Sequence, residues 1–499
     1  MKTKGMKHQL EAMRRMRGRK FFALFMEQGT GKTWCYLKKA EELYTAGEID
    51  AVLVIAPKGV HTNWVRREIP AHWEGKIIAR AWQSGAGVKA MALLQKLFEP
   101  RDRGEQPPMR VLSMNIDALN TNAGFEYAAK FLRATRAMIV FDESSRGKNP
   151  KAERMKALMK LRTLAGYVLI GSGTPITNAP TDVFAPFEFM ESGLLGTDSH
   201  RAFIAEYSSI MSPDHPMMKR MVQKNPRIAF AQIVERDKDG APIWRNLEKL
   251  QALIAPHSYR VLKQDCLDLP EKIYKQVYFD LAPAQKRAYA VMENQFRIEL
   301  GNDSIEAVSK LNSITKLQQI TSGFVMSKTM DGTITIGDDN PRLAALLSLI
   351  EDINGQFIIW ARFREELRII AAALREAGIT TVEYHGGITS SKARDEAVDD
   401  FQAGRARAFV GQPQSGGIGL TLTAAENVIY YSNDYNLETR LQSEDRAHRI
   451  GTKRNVVYTD IVAEDTIDEP IAQALQRKAN VAAIILNDPA CFLDERRAA

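Results

Sequence analysis

The sequence predicts an α/β protein of two parallel-sheet lobes with a mostly helical insertion between them. Three observations carry that reading. Short apolar runs alternate with longer helical patterns over residues 1–190 and again over 340–485, as expected of strands buried on both faces and joined by helices. A glycine-rich loop follows the first apolar run and opens a helix. Residues 191–339 lack the alternation.

Taken in order, the first lobe offers strands at FFALFM (21–26), AVLVIAP (51–57), RVLSM (110–114), AMIVFDE (137–143) and YVLIGSG (167–173). Periodic segments such as RAFIAEYSSIM and QKRAYAVMENQFRIEL, separated by Pro, Gly and Asp, make 191–339 an insertion and inter-lobe linker. The second lobe offers QFIIWA (356–361), TTVEYH (380–385), ARAFVG (406–411), NVIYYS (427–432) and NVVYTDIV (455–462), and residues 486–499 read as a tail.

Composition narrows the class. Hydrophobic residues make up 45% and charged residues 26% of 499, a folded-protein balance that excludes disorder as the main state. No apolar run reaches the roughly 18 residues that span a bilayer, which excludes a membrane protein. Cys35, Cys266 and Cys491 have no paired spacing, so a disulfide framework or cysteine-rich zinc module is excluded and a reducing cytoplasm is expected. The net charge of +8 is concentrated at the start, where residues 1–20 hold eight Lys/Arg against the single Glu11. That block fits either a phosphate-backbone contact or a solvated helix face.

The chemistry lies in three segments. MEQGTGKT (26–33) sits between a strand and a helix. A phosphate chain needs inward-pointing backbone N–H groups, and Gly29 and Gly31, flanking Thr30, let a loop wrap that closely. Lys32 would reach the β/γ-phosphates, and the Thr33 hydroxyl would hold Mg²⁺. The full pattern opens with Gly; here Met26 stands instead. Asp142 and Glu143 end a buried apolar run, where two carboxylates are costly unless a cation meets them. Asp142 is suited to bind Mg²⁺ through water and Glu143 to polarise an attacking water. In QSEDRAHRIG (442–451), Arg446 and Arg449 would share a face if helical; they would then either stabilise a transferred γ-phosphoryl or form surface pairs with Glu444 and Asp445. With the phosphate loop and acid pair in one lobe and the arginines in the other, a site completed by cleft closure is expected.

These segments resemble a superfamily-two helicase core with two RecA-like P-loop lobes, and most closely its Swi/Snf-type branch. Gln9 in KHQLEAM resembles the adenine-reading glutamine. VLVIAPKGVHTNWVRREI (52–69) is similar to motif Ia, FDESSRGKN (141–149) to motif II, and SGTPITN (172–178) to motif III. FIIWARFREELRIIAAALREAGI (357–379), QSGGIGLTLTAAENVIYYSNDYN (414–436) and the Gln442–Arg449 segment resemble motifs IV, V and VI. HSYRVLKQDCLDLPEKIYKQVYFDLAPAQKRAY (257–289) resembles the branch's inter-lobe link, and EDTIDEPIAQALQRKANVAAIIL (464–486) its brace helix. Ser145 stands where motif II often carries histidine.

The resemblance implies an ATP- and Mg²⁺-dependent translocase on double-stranded DNA, of compact bacterial or phage type. Gln9, Gly29, Thr30, Gly31, Lys32, Thr33 and Gly419 would hold the nucleotide. Lys32, Asp142, Glu143, Gln442, Arg446 and Arg449 would carry catalysis, with Thr33 and Asp142 at the metal. Lys58, Thr174, Arg362, Ser415 and Gly416 would contact DNA, without base readout. The alternatives are a strand-separating or annealing helicase, which would take single strands, and a nucleotide-gated subunit completed by a protein partner. Lys219, Arg220, Lys224 and Arg227 fit DNA contact or solvated surface equally, and Trp64, Trp73 and Trp82 are read as packing residues.

Overall fold

In the computed structural model the described residues are 1–486 apart from 59, 84, 86, 99–106, 239–240, 302–306, 327–331, 389, 415–419 and 450. The expected tail beyond 486, Cys491, Ser415, Gly416 and Gly419 lie outside them. The chain divides into two units: unit 1 comprises Met1–Ser209, Arg236–Asp268 and residues 481–486, and unit 2 comprises Ile210–Glu235 and Leu269–Asn480.

Unit 1 is built on seven strands: β1 (Phe21–Met26), β2 (Ala51–Ala56), β3 (Ile77–Ala81), β4 (Met109–Asn115), β5 (Ala137–Asp142), β6 (Tyr167–Gly171) and β7 (Ser258–Val261). They form one sheet in the order β3-β4-β2-β5-β6-β1-β7, parallel throughout. The apolar runs are continuous because both faces are covered. Along β2, Leu53 and Ile55 enter one core layer, and Val52 and Val54 enter the other. Each such side chain contributes roughly 1.5–3 kcal/mol on burial.

Unit 2 repeats the plan with β8 (Lys272–Phe279), β11 (Phe357–Trp360), β12 (Thr381–Tyr384), β13 (Ala408–Gly411), β14 (Asn427–Tyr430) and β15 (Val456–Ala463), in the parallel order β12-β13-β11-β14-β15-β8. An antiparallel pair, β9 (Phe324–Met326) and β10 (Thr333–Thr335), lies apart from that sheet. Phe357 and Ile359 face one layer of its core, and Ile358 and Trp360 the other.

All ten expected strands are present, and the two-lobe α/β class holds. Three further parallel strands, β3, β7 and β8, were not expected. Each closes the edge of a sheet and is only partly buried. β8 reads KIYKQVYF with an exposed middle, so it lacks the apolar run that marks a central strand. Residues 258–261 and 272–279, read as linker, therefore supply an edge strand to each unit.

Candidate functional site

The phosphate loop is set between β1 and helix α1 (Lys7–Met16) on one side and helix α2 (Lys32–Thr45) on the other. Gly31 caps α2 in the left-handed region at φ 86°, as does Gly29 in the loop, a conformation that favours glycine. A Cβ on Gly31 would also fall 2.0 Å from Gln9 Nε2. Gln9 Nε2 donates to the Gly31 carbonyl at 3.2 Å, while its Oε1 accepts the Met6 N–H at 2.8 Å. The glutamine is thus fixed against the loop backbone. Thr30 Oγ1 donates to the Glu27 carbonyl at 2.7 Å and tightens the turn. Lys32 is buried and its Nζ donates to the Met26 carbonyl at 2.7 Å. Thr33, the next residue, is half-buried.

β7 anchors this loop from the sheet edge. Glu27 N–H donates to the Val261 carbonyl at 3.0 Å, and Lys263 N–H donates to Glu27 Oε2 at 2.6 Å. Arg260 Nη1 donates to the carbonyls of Phe25, at 3.3 Å, and Gly173, at 3.0 Å. The arginine thereby joins the end of β1 to the SGTPITN segment. Sequence reasoning missed Arg260 because it lies some 230 residues beyond the loop it supports, in a segment read as linker.

Asp142 ends β5 and Glu143 follows it with φ 54°, a conformation uncommon for a residue with a side chain and typical of functional turns. Both are buried. Burial first, and then the Glu143 charge, push the Asp142 carboxyl up to about 6, against a downward pull from Lys32. Trp64 Nε1 donates to Asp142 Oδ2 at 3.0 Å. Ser172 Oγ donates to Glu143 Oε2 at 3.4 Å and accepts the Thr174 N–H at 3.1 Å, so the acid pair connects directly to SGTPITN. A second tie runs from Lys148 Nζ to Thr177 Oγ1 at 2.9 Å, with Thr177 in turn donating to Asp182. Lys58 is exposed and Thr174 half-buried.

Among the described residues no group of three or more His, Cys, Asp or Glu is placed to hold a metal ion. One buried carboxylate and a hydroxyl beside a phosphate loop suit Mg²⁺, which takes one or two carboxylates together with substrate phosphates. The donor set therefore fits a metal that arrives with its nucleotide.

In unit 2, helix Leu437–Ala447 carries Gln442 and Arg446 and is capped at His448. Arg449 lies past its end, so the two arginines do not share a helical face as the spacing suggested. Arg446 is buried; Arg449 is half-buried, its Nη1 donating to Thr421 Oγ1 at 3.3 Å. Gln442 Nε2 donates to Glu438 Oε1 at 3.1 Å. Glu444 is not a surface partner of these arginines. It is buried and accepts from Lys272 Nζ at 3.1 Å, Tyr274 Oη at 2.8 Å and Arg440 Nε at 2.8 Å. Arg440 also pairs with Asp460. Burial would raise the Glu444 carboxyl, but Lys272 and Arg440 outweigh it and hold it below its ordinary value. Arg362, after β11, donates to Gln318 Oε1 and lines a pocket with Gln412, Gln414 and Asp434.

Several basic groups are engaged within their own unit. Arg14 and Arg15 both pair with Glu11, and Arg15 also lies 4.4 Å from the Tyr259 ring centroid. Lys219, on helix Pro216–Lys224, pairs with Asp214 at 3.1 Å. Trp64, Trp73 and Trp82 are all buried, as the packing reading expected. Among the described residues no helix is long and apolar enough to cross a membrane.

Residues 8–324 match the SNF2-related domain, and residues 341–451 match the helicase conserved C-terminal domain. The putative ATP-dependent helicase/translocase YwqA of Bacillus subtilis is 26% identical over 446 residues, covering 85% of this chain and 42% of that protein. The TATA-binding protein-associated factor mot1 of Schizosaccharomyces pombe is 26% identical over 402 residues, covering 70% of this chain and 20% of that one. The chain thus spans less than half the length of either relative. Among solved structures, the Sulfolobus solfataricus SWI2/SNF2 ATPase core in complex with dsDNA is similar at 22% identity and a TM-score of 0.41, covering 99% of this chain and 95% of that one.

Proposed function

Because the chain belongs to the SNF2-related family, whose domain accounts for well over half of it, we propose that it is an ATP-driven motor that moves along double-stranded DNA. The observation that carries the ATPase reading is the buried Asp142–Glu143 pair at the tip of β5, near enough to Lys32 for the lysine to pull on the Asp142 proton. Two carboxylates in that position destabilise an empty site and are compensated when a cationic ligand enters.

In this reading the N–H groups around Gly29, Thr30 and Gly31 bind the phosphate chain. Lys32 leaves the Met26 carbonyl to meet the β/γ-phosphates. Gln9, already fixed to the loop, reads the base. Thr33 and Asp142 hold the metal, and Mg²⁺, when bound, neutralises phosphate charge. Glu143 orients the attacking water and takes its proton. Gln442, Arg446 and Arg449 stabilise charge on the transferred phosphoryl group, which requires Arg449 to exchange its bond to Thr421. Lys58, Thr174 and Arg362 are assigned to the DNA backbone. The Glu143–Ser172–Thr174 chain supports coupling between hydrolysis and that contact.

The test is the steady-state ATPase rate without nucleic acid and with duplex DNA, single-stranded DNA or RNA, at two salt concentrations. Salt-sensitive stimulation by duplex, followed by ATP-dependent displacement of a triplex-forming strand, is the expected result. Stimulation by single strands alone would replace this reading with a strand-separating helicase. A rate that appears only with an added protein would make the chain a subunit.

A further inference from the structure

We infer that Trp64 is a positioning residue for the metal carboxylate: its indole N–H holds Asp142 in the orientation that receives Mg²⁺–ATP. The inference rests on the ATPase reading and gives a role at the metal site to a residue of the motif Ia segment that had been read only as packing.

The geometry is specific. Trp64 is 1% exposed, and its single N–H donates to Asp142 Oδ2 across 78 residues of sequence. Two other buried tryptophans of unit 1 give an internal comparison. The Nε1 atoms of Trp73 and Trp82 have no hydrogen-bond partner among the described residues, so packing alone places them. Of these three rings, that of Trp64 alone has its polar atom aimed at a charged group of the site.

The backbone and the neighbouring ring both hold that aim. Trp64 opens a π-helical turn, Trp64–Glu68, within an otherwise α-helical run, closed by the Ile69 N–H on the Trp64 carbonyl. Such wide turns are rare and recur at functional sites. Tyr36, one turn into α2 from Lys32, stacks on the indole with ring centroids 6.0 Å apart and planes at 28°. Tyr36 is held from behind by Gly171, where a Cβ would fall 1.7 Å from its hydroxyl. Gly171 is the register partner of Asp142 across β5 and β6. The phosphate-loop helix, the indole and the carboxylate therefore form one packed unit in which the ring cannot turn without displacing Tyr36. A carboxylate free to rotate would meet the metal in several orientations; one held by a fixed donor presents a single face.

The test replaces Trp64 in the full chain by phenylalanine (Trp64→Phe), and separately by 3-benzothienylalanine, which keeps the indole shape and lacks the N–H. Trp82→Phe is the control for loss of a buried indole. ATP binding is measured by calorimetry in EDTA and in Mg²⁺, alongside the Mg²⁺ concentration that gives half-maximal ATPase. Both Trp64 replacements are expected to leave metal-free ATP affinity unchanged and to raise the Mg²⁺ requirement about tenfold, as loss of a metal-site outer-shell partner does. Trp82→Phe should leave both unchanged. The benzothienyl variant keeps the test open if Trp64→Phe fails to fold. An unchanged Mg²⁺ requirement in the benzothienyl variant, or an equal loss of ATP affinity with and without metal, would overturn the inference. A wild-type chain without ATPase activity would instead overturn the reading beneath it.

Discussion

The two units bury charge in opposite ways. In unit 1, Asp142 and Glu143 sit side by side, with Lys32 turned to a backbone carbonyl, and the Asp142 carboxyl is pushed up to about 6. In unit 2, Glu444 is equally buried, yet Lys272, Tyr274 and Arg440 hold it below its ordinary value. The first cluster is short of positive charge and the second is closed on itself. A buried carboxylate left undercompensated is poised to take a cationic ligand. One that is fully paired instead fixes geometry, here tying edge strand β8 to the helix that carries Gln442 and Arg446.

The largest test of this contrast is catalytic. Glu143→Gln should lower the ATPase rate by about 10²–10⁴-fold, the range typical of a general base, while nucleotide binding by calorimetry persists. Near-normal turnover would remove Glu143 from its role. Next comes stability, with opposite signs in the two units. Glu444→Ala removes the buried carboxylate shared by Lys272 and Arg440 and should cost about 3–5 kcal/mol, seen as a lowered unfolding temperature. Asp142→Asn removes an undercompensated charge and should stabilise the nucleotide-free protein by on the order of 1–3 kcal/mol. Losses of similar size in both variants would erase the distinction.

A pH series sharpens the same point. The folded-state value of Asp142, about 6, lies above its ordinary 3.8, so between those values the native state binds the extra proton. Its contribution to stability is therefore favourable at low pH and is lost as pH rises through about 6. In EDTA, wild-type unfolding temperatures should carry this slope between about pH 4 and 6, and Asp142→Asn should lack it. The smallest effect concerns Cys35, whose thiol burial pushes up to about 12. It should resist alkylation at pH 8 in the folded protein and react on unfolding, as followed by mass spectrometry.

Much of the molecule was legible because its signals are local. A strand buried on both faces must be apolar throughout, so nine of the ten expected strands could be read directly; the tenth, β12, is a partly buried sheet edge. A loop that wraps phosphate must carry glycine, which marked Gly29 and Gly31, and Asp142–Glu143 stood out as acids ending a buried run. The misread parts are those whose meaning depends on distant partners. β3, β7 and β8 are half-exposed edges with mixed composition. The shared face of Arg446 and Arg449 held only if both were helical, and the helix ends at Ala447; residue spacing alone does not show where a helix stops.

By itself, then, the sequence determined the two parallel-sheet units, the phosphate loop and the acid pair, since each is imposed by contiguous residues. The tertiary structure alone decided which strand closes each sheet, that Trp64 grips Asp142 from 78 residues away, and that Glu444 is neutralised by a lysine 172 residues before it. Those contacts arise from strand order and helix placement. No local pattern of side chains encodes a hydrogen bond whose two ends meet only after the sheet has formed.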